Sequence, residues 1–180
     1  MHRSLTKGES RHRCESLNTR KKIMYKTKND LPEKTRAACV ELLNQRLADS
    51  IDLMVQAKQA HWNVKVPNFI SLHRLFDEVA TAAAEHADLI AEGIMQLGGA
   101  AEGTIRVASQ RSELPEYPRA ISSGADHVAT LSTALAAFGA RVRRAIDEAD
   151  KLGDKTTADV FTEISRGVDE KLWFVETHLA

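Results

Sequence analysis

The 180-residue sequence contains no long apolar run and only two cysteines. No stretch approaches the ~18 apolar residues that a transmembrane helix needs, and the first 20 residues lack the apolar segment of a secretory signal peptide. Cys14 and Cys39 do not make a disulfide framework. We therefore expect a cytoplasmic chain rather than a membrane-spanning or disulfide-stabilised one. Strand-like alternation, an internal repeat, a helix-turn-helix and a zinc finger are also missing from the sequence.

Charge is distributed unevenly along the chain, although the formal net charge is zero. Residues 1–28 contain nine of the 25 Lys and Arg residues and two of the 25 acidic residues, so this segment is net +7 and residues 29–180 are net −7. We expect residues 1–28 to form a disordered tail because they have almost no apolar periodicity, and residues 29–180 to form the folded domain. A basic tail suits a polyanionic partner or an acidic copy of the same chain.

The folded region begins with residues that are typical of a helix start. Asp30 is predicted as an N-cap, Pro32 as a first-turn residue and Glu33 as the residue that completes a capping box. Apolar residues at three-to-four spacing follow, so helix A is expected over about 32–61.

Three further amphipathic helices are indicated by the same spacing. Their apolar stripes run over 69–97 for helix B, 128–145 for helix C and 160–175 for helix D. Gly98-Gly99 is expected to end helix B, and a polar turn around Gly153 is expected to follow helix C. The connection between these two helices is long for a bundle loop. Together these features predict an all-α, ferritin-like four-helix bundle with a long B–C crossover.

Helix B carries two pairs of residues that commonly bind metals. His73 and Asp77 are four residues apart, as are Asp88 and Glu92, and all four fall on one helix face that flanks the apolar stripe. The centres of the two pairs are about 22 Å apart along the helix, so the pairs cannot meet within one chain. Antiparallel packing of two B helices about a two-fold axis near 82–83, where three alanines permit close approach, would bring them together.

The residue types suggest which metal such an interface would hold. Nitrogen with several carboxylate oxygens suits iron or another divalent first-row metal. His61, at the end of helix A, is the natural additional ligand. A site inside one bundle is disfavoured because its Glu-x-x-His pattern occurs only at Glu9 and His12, in the tail. An ordinary solvated helix face remains the alternative, since one such pair on a helix is common.

Other conspicuous residues are interpreted as structural. Trp173 is expected in the core and Cys39 buried in helix A. Three histidines are expected on the surface: His86, His127 and His178.

A short motif at the end of helix A adds a specific resemblance. His61-Trp62-Asn63 is followed twelve residues later by His73 and then by Asp77. With the stretches KQAHWN, NFISLH, QLGG and LWFVE, this pattern resembles the Dps family (DNA-binding protein from starved cells), from about Tyr25 to the C-terminus.

The resemblance implies a hollow dodecameric shell with ferroxidase sites at its two-fold interfaces. Such a miniferritin oxidises Fe²⁺, usually with hydrogen peroxide, and stores the Fe³⁺ mineral, which protects against oxidative stress. The implied site takes His61, His73 and Asp77 from one subunit and Asp88 and Glu92 from its partner. Trp62 would lie beside the site, where an indole can give up an electron. Two residues, Val66 and Gly93, differ from those common in the family.

The resemblance also implies nucleoid association through non-specific DNA binding, and the basic tail provides the charge. The candidate DNA-binding residues are Arg11, Arg13, Arg20, Lys21, Lys22, Lys26 and Lys28. The alternative for this segment is a solubilising or oligomer-stabilising arm. Three acidic residues near the C–D turn are candidates for an iron-entry pore or for plain turn residues: Asp150, Asp154 and Asp159. A non-enzymatic structural or DNA-compacting shell is the alternative function for the whole protein.

Overall fold

The computed structural model describes residues 24–67 and 69–179, and every regular element in that part of the chain is helical. The elements, in chain order, are α1 (Glu33–Asn63), α2 (Phe69–Gln96), α3 (Ile105–Arg111), α4 (Gly124–Leu152), α5 (Lys155–Glu176) and a short 3₁₀ helix (Thr177–Leu179). The predicted helices A to D correspond to α1, α2, α4 and α5. The all-α four-helix bundle is therefore confirmed. Among these helices, none has both the length and the hydropathy that a membrane crossing requires.

The long connection crosses the full length of the bundle. Helices α1 and α2 are antiparallel, because the end of α1 lies beside the start of α2 while Arg36 of α1 donates from Nη1 to the carbonyl oxygen of Leu97 at 2.8 Å. The start of α4 also lies beside the start of α2: a Cβ on Gly124 would be 2.6 Å from Cγ1 of Val66. The chain must therefore return from one end of the bundle to the other, which confirms the crossover.

The crossover is held to α1 by hydrogen bonds rather than by apolar packing alone. Helix α3 lies within the crossover, and side chains of α1 contact the backbone of the crossover in three places. Gln45 donates to the carbonyl oxygen of Arg111 at 2.6 Å, Asp49 accepts from the amide of Glu113 at 2.9 Å, and Gln56 donates to the carbonyl oxygen of Pro115 at 3.0 Å. These bonds satisfy buried polar groups that a loose loop would leave unpaired.

The apolar stripes predicted from the sequence form the core between the helices. The largest fully buried side chains include Phe76 of α2, Phe138 of α4 and Phe161 of α5. Trp173 was predicted to join them, but this prediction is wrong, since its side chain is 66% exposed. It lies two residues before Val175, about 160° around α5, so the two side chains cannot both face the core.

The predicted start of α1 is wrong in detail. Pro32 is the N-cap residue and makes no side-chain capping bond, so Asp30 and Glu33 do not form a capping box. The residue before a proline is disfavoured in the helical region, which prevents the helix from starting before Pro32. Instead, the amide of Leu31 donates to the side chain of Asn29 at 3.0 Å.

The helix ends predicted at glycines are confirmed. Gly98 follows α2 with φ 79°, and Gly153 follows α4 with φ 83°, a left-handed conformation that glycine adopts without a Cβ penalty. The segment 24–28 lies against the former end: the amide of Tyr25 donates to the carbonyl oxygen of Gly98 at 2.6 Å. The sequence did not predict this attachment of the basic segment to the bundle.

Candidate metal centre

Two histidines are held together where α1 ends and α2 begins. The rings of His61 and His73 are stacked, with centroids 3.6 Å apart and planes at 22°. Each ring also contacts the other residue's backbone: Nδ1 of His61 lies 2.7 Å from the carbonyl oxygen of His73, and Nδ1 of His73 lies 2.9 Å from the carbonyl oxygen of His61. The predicted pairing of these two residues is therefore built into the fold of one chain.

These contacts determine which ring nitrogens can bind a metal. A carbonyl oxygen only accepts, so each Nδ1 must carry the proton and donate it. In a neutral imidazole the lone pair is then on Nε2. Backbone acceptors commonly orient metal-binding histidines in this way. His61 and His73 are thus arranged as two Nε2 donors on neighbouring helices.

A carboxylate lies one helical turn beyond the second histidine. Asp77 is on the same face of α2 as His73, and its side chain receives a hydrogen bond from the ammonium of Lys58 on α1. This contact is the main reason why the pKa of Asp77 is lowered, and the two histidines act in the same direction. The carboxylate is therefore ionised and paired with a cation in the iron-free protein.

The second predicted pair lies apart from this cluster. Asp88 and Glu92 are exposed on the second half of α2. They begin 15 residues after His73, which is about 22 Å along a helix. Within residues 24–67 and 69–179, no group of three or more His, Cys, Asp and Glu side chains is placed to hold a metal ion. One protomer therefore does not bring all five predicted ligands together.

The surroundings of the two pairs differ in exposure. Trp62 follows His61 directly, and its side chain is 65% exposed. Of the three alanines at the predicted two-fold axis, Ala83 is buried against the core and Ala84 is exposed. The indole and the small exposed surface of Ala84 are both available for contact with another molecule.

The three candidate pore residues do not share one environment. Asp150 and Asp159 are exposed, and Asp150 contacts the ammonium of Lys155. Asp154 is only 2% exposed and caps α5, accepting from the amides of Thr156 and Thr157 at 3.1 Å each. The side chain of Asp154 is therefore used inside the subunit as a helix cap, whereas those of Asp150 and Asp159 are exposed.

Most of the candidate DNA-binding residues lie outside the described part of the chain. This applies to Arg11, Arg13, Arg20, Lys21 and Lys22. Lys26 and Lys28 are described, and both are exposed.

Comparison with known proteins places the chain in a family. Residues 40–180 match the Ferritin family model, described as a ferritin-like domain. Over 155 residues the chain is 44% identical to the DNA protection during starvation protein of Agrobacterium fabrum, which covers 86% of this chain and 96% of that protein. This chain belongs to the Dps family of ferritin-like proteins.

Solved Dps structures have the same fold. DpsC from Streptomyces coelicolor aligns with a TM-score of 0.83 and 28% identity, covering 87% of this chain and 92% of that one. Dps from Microbacterium arborescens, in a high iron form, aligns with a TM-score of 0.76 and 34% identity, covering 82% and 95%. The ferritin-like architecture and the Dps resemblance predicted from the sequence are both confirmed.

Two polar contacts of this Dps chain were not predicted from its sequence. Lys58 lies three residues before His61 on one face of α1, a spacing that would have placed it near the site. His127 was expected on the surface, but this prediction is wrong: it is 1% exposed and bonded to Tyr117 of the crossover. No local pattern in the sequence links these two residues.

Proposed function

We propose that the protein is a ferroxidase and iron-storage miniferritin, a subunit of a hollow dodecameric shell. The observation that carries this proposal is the pair of stacked histidines, His61 and His73, which present Nε2 lone pairs one turn from the carboxylate of Asp77. Imidazole and carboxylate are suitable donors for Fe²⁺. Iron is the substrate here, first as the ferrous ion and then as the stored ferric mineral.

The missing ligands are supplied by a second copy. Two α2 helices that pack antiparallel around residues 82–84 bring Asp88 and Glu92 of each subunit to the histidine end of the other. A two-fold interface repeats every contact, so each dimer contains two equivalent sites. Family membership and the separation of the pairs within one chain support this arrangement.

The residues of the chain have distinct roles in the proposed reaction. His61 and His73 bind the ferrous ion through Nε2. The carboxylate of Asp77 also binds the ferrous ion, which displaces the ammonium of Lys58. Hydrogen peroxide accepts two electrons, one from each of two ferrous ions, and is reduced to water. The acidic body, net −7 over residues 29–180, attracts cations to the shell. Ferric product then hydrolyses and accumulates inside, which protects the cell from oxidative damage.

DNA binding is the second proposed function, and the tail supports it. Residues 1–28 carry a net charge of +7, and twelve tails on one shell would act together. The Agrobacterium fabrum relative is called a DNA protection during starvation protein. The shell would then reside in the cytoplasm, associated with the nucleoid. Binding would be non-specific and would weaken steeply with salt.

Iron titration tests the first function. The sized oligomer is titrated anaerobically with Fe²⁺, and peroxide is added while absorbance is followed near 300–350 nm. We expect saturable binding with two or more ferrous ions per dimer and rapid oxidation in the wild type. The variant His73→Ala/Asp77→Ala should lose both the binding and the rapid oxidation. The control variant His178→Ala/Asp147→Ala, which changes exposed residues of the same types outside the site, should retain both. Oxidation no faster than in buffer would leave the alternative of a non-enzymatic shell.

Removal of residues 1–23 tests the second function, because it spares the contact between Tyr25 and Gly98. Gel shifts at several salt concentrations should lose most of the affinity and the steep salt dependence. Unchanged affinity would refute the tail as the DNA-binding element.

A further inference from the structure

A half-buried tyrosine and a buried histidine form a pair where the crossover meets α4. The hydroxyl of Tyr117 lies 2.6 Å from Nδ1 of His127, and the two rings are 6.2 Å apart between centroids. His127 is almost completely buried, and its Nε2 makes no hydrogen bond of normal geometry with the described residues. Among the described residues, the phenol of Tyr117 is the hydrogen-bond partner of Nδ1 of this imidazole.

The environment decides in which direction the hydrogen bond runs. Burial raises the pKa of Tyr117 to about 12, so the phenol keeps its proton at neutral pH. Burial also lowers the pKa of His127, although the backbone of Asn63 and the carboxylate of Asp126 oppose this effect. A neutral imidazole then accepts from the phenol at Nδ1. The pair is a phenol with a proton acceptor already in place.

The pair also lies near the histidine end of α1. His127 neighbours the backbone of Asn63, two residues after His61. Tyr117 lines a surface groove together with Val55 and Gln59 of α1. Val55, Gln59 and Trp62 are four and three residues apart, so they share one face of that helix. Trp62 is not part of the groove lining, but it lies on this face of α1 one turn beyond Gln59, which does line the groove with Tyr117.

We propose that Tyr117 and His127 form a proton-coupled redox pair that removes stray oxidising equivalents from the iron site. The inference rests on the ferroxidase function proposed above. A single Fe²⁺ that reduces peroxide yields Fe³⁺, hydroxide and a hydroxyl radical. The radical takes one electron from the indole of Trp62 and becomes hydroxide. Tyr117 returns an electron to the indole and passes its phenolic proton to Nδ1 of His127, which leaves a tyrosyl radical and an imidazolium.

A second Fe²⁺ completes the reaction. It reduces the tyrosyl radical and becomes Fe³⁺, while the proton returns from His127 to the phenol. With two protons from solvent, the net reaction is the oxidation of two ferrous ions by one peroxide to two ferric ions and two waters. The pair thus holds one oxidising equivalent between two separate one-electron steps.

The chain offers a matched control because it contains only two tyrosines, Tyr25 and Tyr117. Shells loaded with one Fe²⁺ per site are mixed with peroxide, frozen within milliseconds and examined by electron paramagnetic resonance. We expect a tyrosyl signal in the wild type and in Tyr25→Phe, and at least a tenfold smaller one in Tyr117→Phe. Trp62→Phe should also reduce the signal, whereas Trp173→Phe should not. A purely structural hydrogen bond would leave the signal equal in both tyrosine variants, which would overturn the proposal.

A second arm separates this proposal from the ferroxidase function. Iron-free protein is oxidised by flash-generated tris(bipyridine)ruthenium(III), and radical formation is followed in H₂O and D₂O. Oxidation of Tyr117 with a deuterium isotope effect supports the pair, and oxidation of Tyr25 alone overturns it. Normal iron oxidation without a Tyr117 radical in the first arm also overturns it. Absent iron oxidation instead refutes the ferroxidase function, and the flash arm then decides for the pair alone.

Discussion

The two halves of α2 carry the same kind of residues in different settings. In the first half, His73 is locked against His61, and Asp77 is paired with Lys58. In the second half, Asp88 and Glu92 are exposed and lie about 22 Å away. One half of the proposed site is therefore organised within the subunit, while the other half has no contact with it in one subunit.

The largest expected effect comes from removing either half. Asp88→Ala/Glu92→Ala should reduce peroxide-driven iron oxidation as strongly as His73→Ala/Asp77→Ala does. Loss of an outer partner of a metal ligand costs about 10–100-fold, so loss of two ligands should cost ~100-fold or more. Stopped-flow absorbance measures the rates. Substantial activity in Asp88→Ala/Glu92→Ala would mean that the first half acts alone.

The next effect concerns the surface between the halves. Ala84 is exposed near the proposed two-fold axis, so the larger side chain in Ala84→Gln should hold two α2 helices apart. We expect a less stable dimer and a rate of iron oxidation about tenfold lower, by analogy with displaced ligands. Ala136→Gln, at an exposed alanine of α4, is the control. Analytical ultracentrifugation and stopped-flow rates give the two readouts. Equal behaviour of the two variants would argue against packing at residues 82–84.

A smaller effect is expected in the first half. Lys58→Gln removes the cation that competes with Fe²⁺ for the carboxylate of Asp77. Fe²⁺ should therefore bind roughly two- to fivefold more tightly, which corresponds to the free energy of an exposed ion pair. Lys58 is also the main cause of the lowered pKa of Asp77. Because a lowered pKa means that the ion pair is lost as pH falls, the advantage of the variant should shrink toward acidic pH. Anaerobic titration, with Lys34→Gln as control, measures this. Weaker Fe²⁺ binding in Lys58→Gln would contradict this competition and would mean that Lys58 supports iron binding instead.

The smallest effect is expected beside Glu92. A Cβ on Gly93 would meet Leu43 at 3.8 Å, an ordinary contact, so Gly93→Ala should stabilise the fold by about 0.5–1 kcal/mol. Denaturant unfolding of the assembled protein tests this. A loss of stability would mean that the second half of α2 needs the freedom of glycine.

Periodicity predicted the fold because the core stripes of α2, α4 and α5 are regular. It failed for Trp173, where a large apolar residue on the exposed face was mistaken for core, and for Asp30, where the proline two residues later decided the helix start. The site was predicted as residue types on one helix face. Its long-range contacts were not: Lys58 with Asp77, and Tyr117 with His127, are joined only when α1, the crossover and α4 pack together.

A mixing experiment tests the central claim, that each site is divided between two subunits. His73→Ala/Asp77→Ala and Asp88→Ala/Glu92→Ala proteins are dissociated, mixed in equal amounts and reassembled, and iron oxidation by peroxide is measured. Half of the random dimers are then mixed, and a two-fold interface gives each mixed dimer one intact site and one site without either pair. We predict recovery to about a quarter of the wild-type rate from two inactive proteins. A mixture that stays inactive, while wild-type protein treated in the same way recovers, would contradict a site shared between subunits.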